Sequence, residues 1–216
     1  MIVATSAIIA GCGGGGEPVA QFDNEPAGAY PVEVIAADFP SRQTIAETYD
    51  LELAVRNSGE KTIPAMSVTI NLPGEGSTLA FAYRDDQVGL AQPQRPVWVL
   101  EEGYPKLAGT VGRGGAGTAN KRTFNFGEVK AGDTANMIWR VVAVKPGEHV
   151  VSYQVNAGLS GEANAEDEAG DPVDGLLPSV ISSKPILTKI DDNGKVVPLS
   201  QQEKLSLKVQ EAEAAP

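Results

Sequence analysis

Few side chains in this chain are suited to reactive chemistry. Its 216 residues hold one histidine, His149, and one cysteine, Cys12. A Ser-His-Asp or Cys-His set would have to use His149. That residue opens the alternating run His149, Val151, Tyr153, Val155, Ala157, which places it on the inward face of a strand. A packed histidine with a structural hydrogen bond is the expected role. A lone cysteine excludes an intrachain disulfide and a cysteine-based metal site, which needs several ligands.

Residues 112–117, Gly-Arg-Gly-Gly-Ala-Gly, spell G-x-G-x-x-G. Such a stretch holds a dinucleotide only when a buried strand precedes it and a helix follows, so that backbone amides and the helix dipole meet the pyrophosphate. Residues 105–110 do not read as a strand and residues 118–122 lead into one, so a loop is expected. No Gly-Lys-Ser/Thr follows, so it is not a P-loop.

Glu162, Asn164, Glu166, Asp167, Glu168, Asp171 and Asp174 place many oxygen ligands in a short span. Calcium takes such oxygens, but Asp171-x-x-Asp174-Gly175 lacks the EF-hand ligand series and its distal Glu. A solvated acidic loop is expected, with a calcium-stabilised spacer as an alternative. Paired carboxylates also serve glycoside hydrolysis, and no motif singles out such a pair. Residues 74–120 carry Phe81, Tyr83, Arg84, Arg95, Trp98 and Tyr104. Aromatics and Arg are enriched at binding hot spots, so these six are the candidate partner-binding residues. The competing role of each aromatic is to tuck into the core edge.

The elements around these residues read as strands. Residues 121–158 give three strands separated by turns at Lys130-Ala131-Gly132-Asp133 and Pro146-Gly147, with Trp139 amid a β-branched run. Tyr49, Leu51, Leu53 and Val55 alternate with polar residues up to the Asn57-Ser58-Gly59 turn. Met66, Val68, Ile70 and Leu72 then point inward, with Ser67, Thr69 and Asn71 outward. Val32, Val34 and Ala36 share one face of a first strand. Clean alternation indicates antiparallel sheets wet on one side. Residues 74–120 lose the rhythm and read as a long irregular insertion, a place where function often sits. Asp192-Asn193-Gly194 marks a tight hairpin turn. About seven short strands with turns between them favour a β-sandwich. Lys and Arg total 17 against 28 Asp and Glu, a net charge of -11, which argues against a nucleic-acid partner.

The start is distinct. Residues 1–10 are apolar and uncharged, and Ile9-Ala10-Gly11-Cys12 resembles the lipobox of bacterial lipoproteins. No Lys or Arg precedes the apolar run, the one departure from a signal peptide. The resemblance implies cleavage before Cys12 and a lipid on it. A glycine run, residues 13–16, then begins a polar, Pro-containing tether.

Val55-Arg56-Asn57-Ser58-Gly59 and the later Gly127-Glu128-Val129-Lys130-Ala131-Gly132 together resemble the immunoglobulin-like conserved-repeat and CARDB-type modules of bacterial surface proteins. That resemblance implies an antiparallel immunoglobulin-like β-sandwich in an extracytoplasmic setting, and no catalytic residues. The expected organisation is a lipoprotein-type signal peptide (1–11), a flexible tether (12–30), an immunoglobulin-like sandwich (31–188, insertion 74–120), and a hairpin with a disordered tail (189–216). The expected protein is lipid-anchored on the extracytoplasmic face of the cell membrane, non-catalytic, and free of metal and cofactor. Its partners would be the membrane, through Cys12, and an envelope protein or surface polymer. The alternatives are a carboxylate-dependent hydrolase of envelope glycans and the calcium-stabilised surface spacer.

Overall fold

The computed structural model describes residues 25–83, 96–110, 115–118, 120–183, 187–200, 202–203 and 206–207. The expectations placed on residues 1–24, Cys12 among them, and on Arg84 and Arg95 lie outside these residues.

Alternating apolar side chains give a strand one dry face, which must find another dry face to cover it. The strands in chain order are β1 (Gly28–Asp38), β2 (Arg42–Thr44), β3 (Thr48–Asn57), β4 (Ile63–Asn71), β5 (Phe81–Tyr83), β6 (Trp98–Leu100), β7 (Lys106–Leu107), β8 (Ala116–Gly117), β9 (Thr123–Val129), β10 (Thr134–Ala143), β11 (Gly147–Asn156), β12 (Ala163–Glu166), β13 (Asp174–Ser182), β14 (Thr188–Ile190) and β15 (Val196–Pro198). One sheet runs β12-β1-β3-β10-β6-β5 with β7 also on β10, and the other runs β2-β13-β11-β4-β9-β8. β14 and β15 form a separate hairpin. The long strands β1, β3 and β10 therefore face β13, β11, β4 and β9. This is an immunoglobulin-like sandwich in which the fourth long strand pairs with the third.

Leu51, Leu53 and Val55 of β3 and Met137, Trp139 and Val141 of β10 are buried against Val68, Ile70, Phe124, Val151 and Val155 of the opposing sheet. Trp139 lies edge-on to Phe124 and Phe126, with ring centroids 5.9 and 5.2 Å away.

The sheets are also joined by polar bonds at one end. Asn57, fully buried at the end of β3, donates from Nδ2 to the carbonyls of Lys61 (2.8 Å) and Val129 (2.9 Å). Its Oδ1 accepts from Gly59 N–H. Its backbone N–H donates to Asp133 O and its carbonyl accepts from Gly132 N–H, both at 2.9 Å. Gly132 adopts a positive φ of 81° to close that turn. One side chain thus ties the β3–β4 and β9–β10 connections, the places where the chain crosses between sheets.

Several sequence expectations are corrected. The folded body starts before residue 31. Gly28, Ala29, Tyr30 and Pro31 pair in parallel with β12, and Glu25 accepts N–H bonds from Leu159 and Ser160. Residues 25–30 are therefore not tether. A bulge between Val34 and Ala36 turns Ile35 and Ala36 outward and Ala37 inward. Ser67, expected on the wet face, is buried, and its hydroxyl donates to Gly158 O. The insertion is not irregular throughout. β6 and β7 pair with β10, β5 with β6, and β8 with β9, so it completes edges of both sheets.

Asn57→Ala strands buried carbonyls without donors and is expected to lower unfolding free energy by about 2–4 kcal/mol. Trp139→Ala leaves a cavity and is expected to cost about 3–5 kcal/mol. Urea unfolding of both variants checks these values. An Asn57→Ala midpoint equal to wild type would contradict the role given to Asn57.

Candidate functional site

The aromatic residues singled out in the insertion do not form a surface. Phe81 and Trp98 are buried in the core, edge-on to each other and to Phe39. This corrects their assignment as partner-binding residues: strand pairing of β5, β6 and β10 carries their side chains between the sheets. Tyr83 is half-buried, with its hydroxyl where a Cβ on Gly117 would sit. Tyr104 is half-buried and lies between Lys106 Nζ (4.6 Å) and Arg140 Cζ (5.2 Å). Arg140 is held by two bonds to Asp50, at 2.8 and 2.7 Å. Those bonds raise the guanidinium pKa further above its ordinary value.

Trp98 instead anchors a polar hub that sequence reading missed. Its Nε1–H donates to Gln43 Oε1 at 2.6 Å, and Gln43 Nε2 donates to Pro40 O. The His149 ring stands edge-on to Trp98 at 5.8 Å. His149 Nδ1 lies 2.5 Å from Glu75 Oε1, and Nε2 lies 3.2 Å from the Lys145 carbonyl. Lys145 Nζ meets the other Glu75 oxygen at 2.9 Å. Burial would raise the Glu75 pKa, but the bonds from His149 and Lys145 outweigh it and hold the carboxyl below its ordinary 4.5. Both ring nitrogens are engaged within the fold. The imidazole serves structure, as its place in the alternation implied.

The glycine motif is likewise a packing feature where it can be seen. Gly115 and Gly117 belong to or adjoin β8, not a helix. A Cβ on Gly115 would come within 2.9 Å of Phe126. Residues 112–114 lie outside the described residues.

The acidic stretch is divided between a strand, a turn and a second strand. β12 carries Glu162's neighbours Ala163 to Glu166 along β1. Asp167 Oδ1 then accepts from Ala169 and Asp171 N–H. Among the described residues no three His, Cys, Asp or Glu side chains come together as a metal-holding set.

Three of the acidic residues do converge elsewhere. Asp167, Glu168 and Asp174 line a groove of about 500 Å3 with Glu33, Val32, Val34, Pro172, Val173 and Tyr153. It lies at the open side of the sandwich, between β1 and β13. Glu33 is already ion-paired with Arg56. The Tyr153 ring reaches the groove across Gly175, where a Cβ would come within 2.5 Å of the ring tip. Burial, and then the charge of Asp174, raise the Tyr153 hydroxyl pKa, which keeps it a hydrogen-bond donor at neutral pH. Nothing in the sequence marks this groove except that Tyr153 points inward opposite a glycine.

No family model and no curated protein matches the sequence. Among solved structures, the CARDB domain of a Pyrococcus furiosus protein is similar with a TM-score of 0.40 and 9% identity, covering 71% of this chain and 94% of that one. BslA, a bacterial hydrophobin, gives 0.39 and 13%, covering 74% and 99%. An ASH/PapD-like domain of a human protein gives 0.38 and 9%, covering 86% and 100%. These likenesses are too slight to carry an argument.

Because the Glu75 carboxyl lies below 4.5 in the folded chain, the folded state binds fewer protons there than the unfolded state. Its stabilisation is therefore complete above the ordinary carboxylate value and is lost as pH falls through the folded value. Glu75→Gln is expected to be less stable than wild type at about pH 7, with the gap narrowing as pH falls below the ordinary carboxylate range. Urea midpoints across that range check it; a gap that stays constant would contradict the assignment.

Proposed function

We propose that this chain is a lipid-anchored module of the cell envelope that works by binding and not by catalysis. The observation that carries the reading is Ile9-Ala10-Gly11-Cys12, with an apolar run before it and glycines 13–16 after it. A diacyl-type anchor on Cys12 holds a chain on a membrane, which one acyl chain does only marginally. The glycine run and its polar continuation separate that anchor from a body that begins by Glu25.

The CARDB-type assignment belongs to the same proposal. It rests on the turn motifs at residues 55–59 and 127–132, and Asn57 hydrogen-bonds to both turns. A binding role is favoured because the one histidine is taken up by Glu75 and Lys145. Binding through the aromatics of the insertion is not retained, since Phe81 and Trp98 are core residues.

Expressed in a bacterium with lipoprotein processing, the wild-type chain is expected to incorporate radiolabelled fatty acid and to fractionate with membranes. Cys12→Ala is expected to lose the label and release the protein. Membrane association unchanged by Cys12→Ala would overturn the anchor.

A further inference from the structure

We infer that the groove between β1 and β13 takes a basic, extended peptide segment of a partner protein. The inference deepens the reading of the chain as a binding module and does not depend on the lipid anchor.

The first ground is charge. Asp167, Glu168 and Asp174 stand on the rim, and Glu33, which also lines the groove, is paired with Arg56. The rim is net negative on a chain of net charge -11. A second copy of the chain is repelled from it, and a cationic segment is drawn to it. The floor and walls, Val32, Val34, Pro172 and Val173, suit the aliphatic stems of Lys or Arg, which cover apolar surface while the charged end stays at the rim.

The second ground is a hydroxyl that opens into the groove. Tyr153 is only 7% exposed and lines the groove. Its hydroxyl makes no hydrogen bond to the described residues and is not an enclosed atom, so it is open to the groove. An acceptor carried by a ligand would complete it, and a peptide carbonyl is such an acceptor.

The third ground is open backbone. β12 covers β1 only from Gly28 to Pro31, and β2 covers β13 only from Val180 to Ser182. Gly28 N–H bonds toward β12, whereas the Pro31 carbonyl accepts from Ser58 on the β3 side. By alternation, the backbone groups of Val32 and Val34 point away from β3; the Val32 N–H is taken by Glu166 of β12, which leaves the Val32 C=O and the N–H and C=O of Val34. On that side no strand follows among the described residues. On β13, Val180 N–H bonds toward Ser41, so Pro178 presents its backbone to the outer edge without an N–H. An added strand therefore pairs along β1, with its side chains over Tyr153 and toward Glu168 and Asp174. Strand addition supplies affinity through the main chain and specificity through the side-chain sites.

The experiment uses the full chain carrying Cys12→Ala, 15N-labelled, titrated with an acetylated and amidated peptide of alternating Lys and Val. Saturable amide shifts are expected at Val32, Val34 and Asp174, weakening as salt is added. The double variant Glu168→Gln/Asp174→Asn changes two exposed side chains and is expected to raise Kd about tenfold at an unchanged thermal midpoint. Gly175→Ala, which forces the Tyr153 ring aside, is expected to weaken binding independently. Four results would each overturn the inference: no saturable shift, equal binding of the matching Glu–Val peptide, spermidine binding as tightly as the Lys–Val peptide, or a Kd unmoved by the double variant. Failure here leaves the fatty-acid labelling of Cys12 untouched, so the two readings fall separately.

Discussion

The buried amide of Asn57 is the constraint on which the arrangement of the two sheets rests. A sandwich needs its sheets held in one relative register, and apolar packing alone tolerates sliding because it is non-directional. Asn57 removes that freedom. Its Nδ2 bonds to Lys61 and Val129 carbonyls, its Oδ1 to Gly59 N–H, and its backbone to Gly132 and Asp133. β3 and β10 belong to one sheet and β4 and β9 to the other, so these bonds lock both crossovers together. Buried polar groups in a fully satisfied network specify a unique arrangement, while a partly satisfied one is costly. Trp139 and its two phenylalanines then fill the space that this register creates.

The opposite part of the core is built on a different principle. β6 has three residues, too few to stand without partners. It is held because Trp98 enters the core between Phe39, Phe81 and His149 and because Gln43 takes its indole N–H. The insertion is thus fastened by one large side chain with a polar handle, the usual requirement for burying a tryptophan. Glu75 and Lys145 complete the fastening around His149. That end of the domain is bound by charge, and the Asn57 end by neutral hydrogen bonds.

Alternation made most of the fold legible. The faces of β3, β10 and β11 follow directly from every second residue, and the turns at Asn57-Ser58-Gly59 and Lys130–Asp133 lie where they were expected. What alternation cannot carry is a bulge, since one extra residue reverses every face beyond it; Ala36 was misplaced for that reason. Ser67 differs: Met66, Val68 and Ile70 stay inward, and Ser67 is buried by contact with residues distant in sequence, at Gly158 O. The insertion was misread for another. Composition cannot tell a buried aromatic anchor from an exposed one, and the partner of Trp98 lies 55 residues away in Gln43. The groove was invisible because it is formed by strands distant in sequence. Only Tyr153 hinted at it; the acidic stretch reads as a solvated loop with a calcium site as the alternative, and among the described residues no metal-holding set assembles.

The most direct measure of the account is hydrogen exchange under native conditions, followed at the Asn57 side-chain amide and at backbone amides of β3, β4, β9 and β10. If Asn57 locks the sheets together, its Nδ2 protons are protected, and amides of both sheets exchange through one common global opening. Rapid exchange of the Asn57 side chain, or two sheets opening at separate free energies, would contradict it.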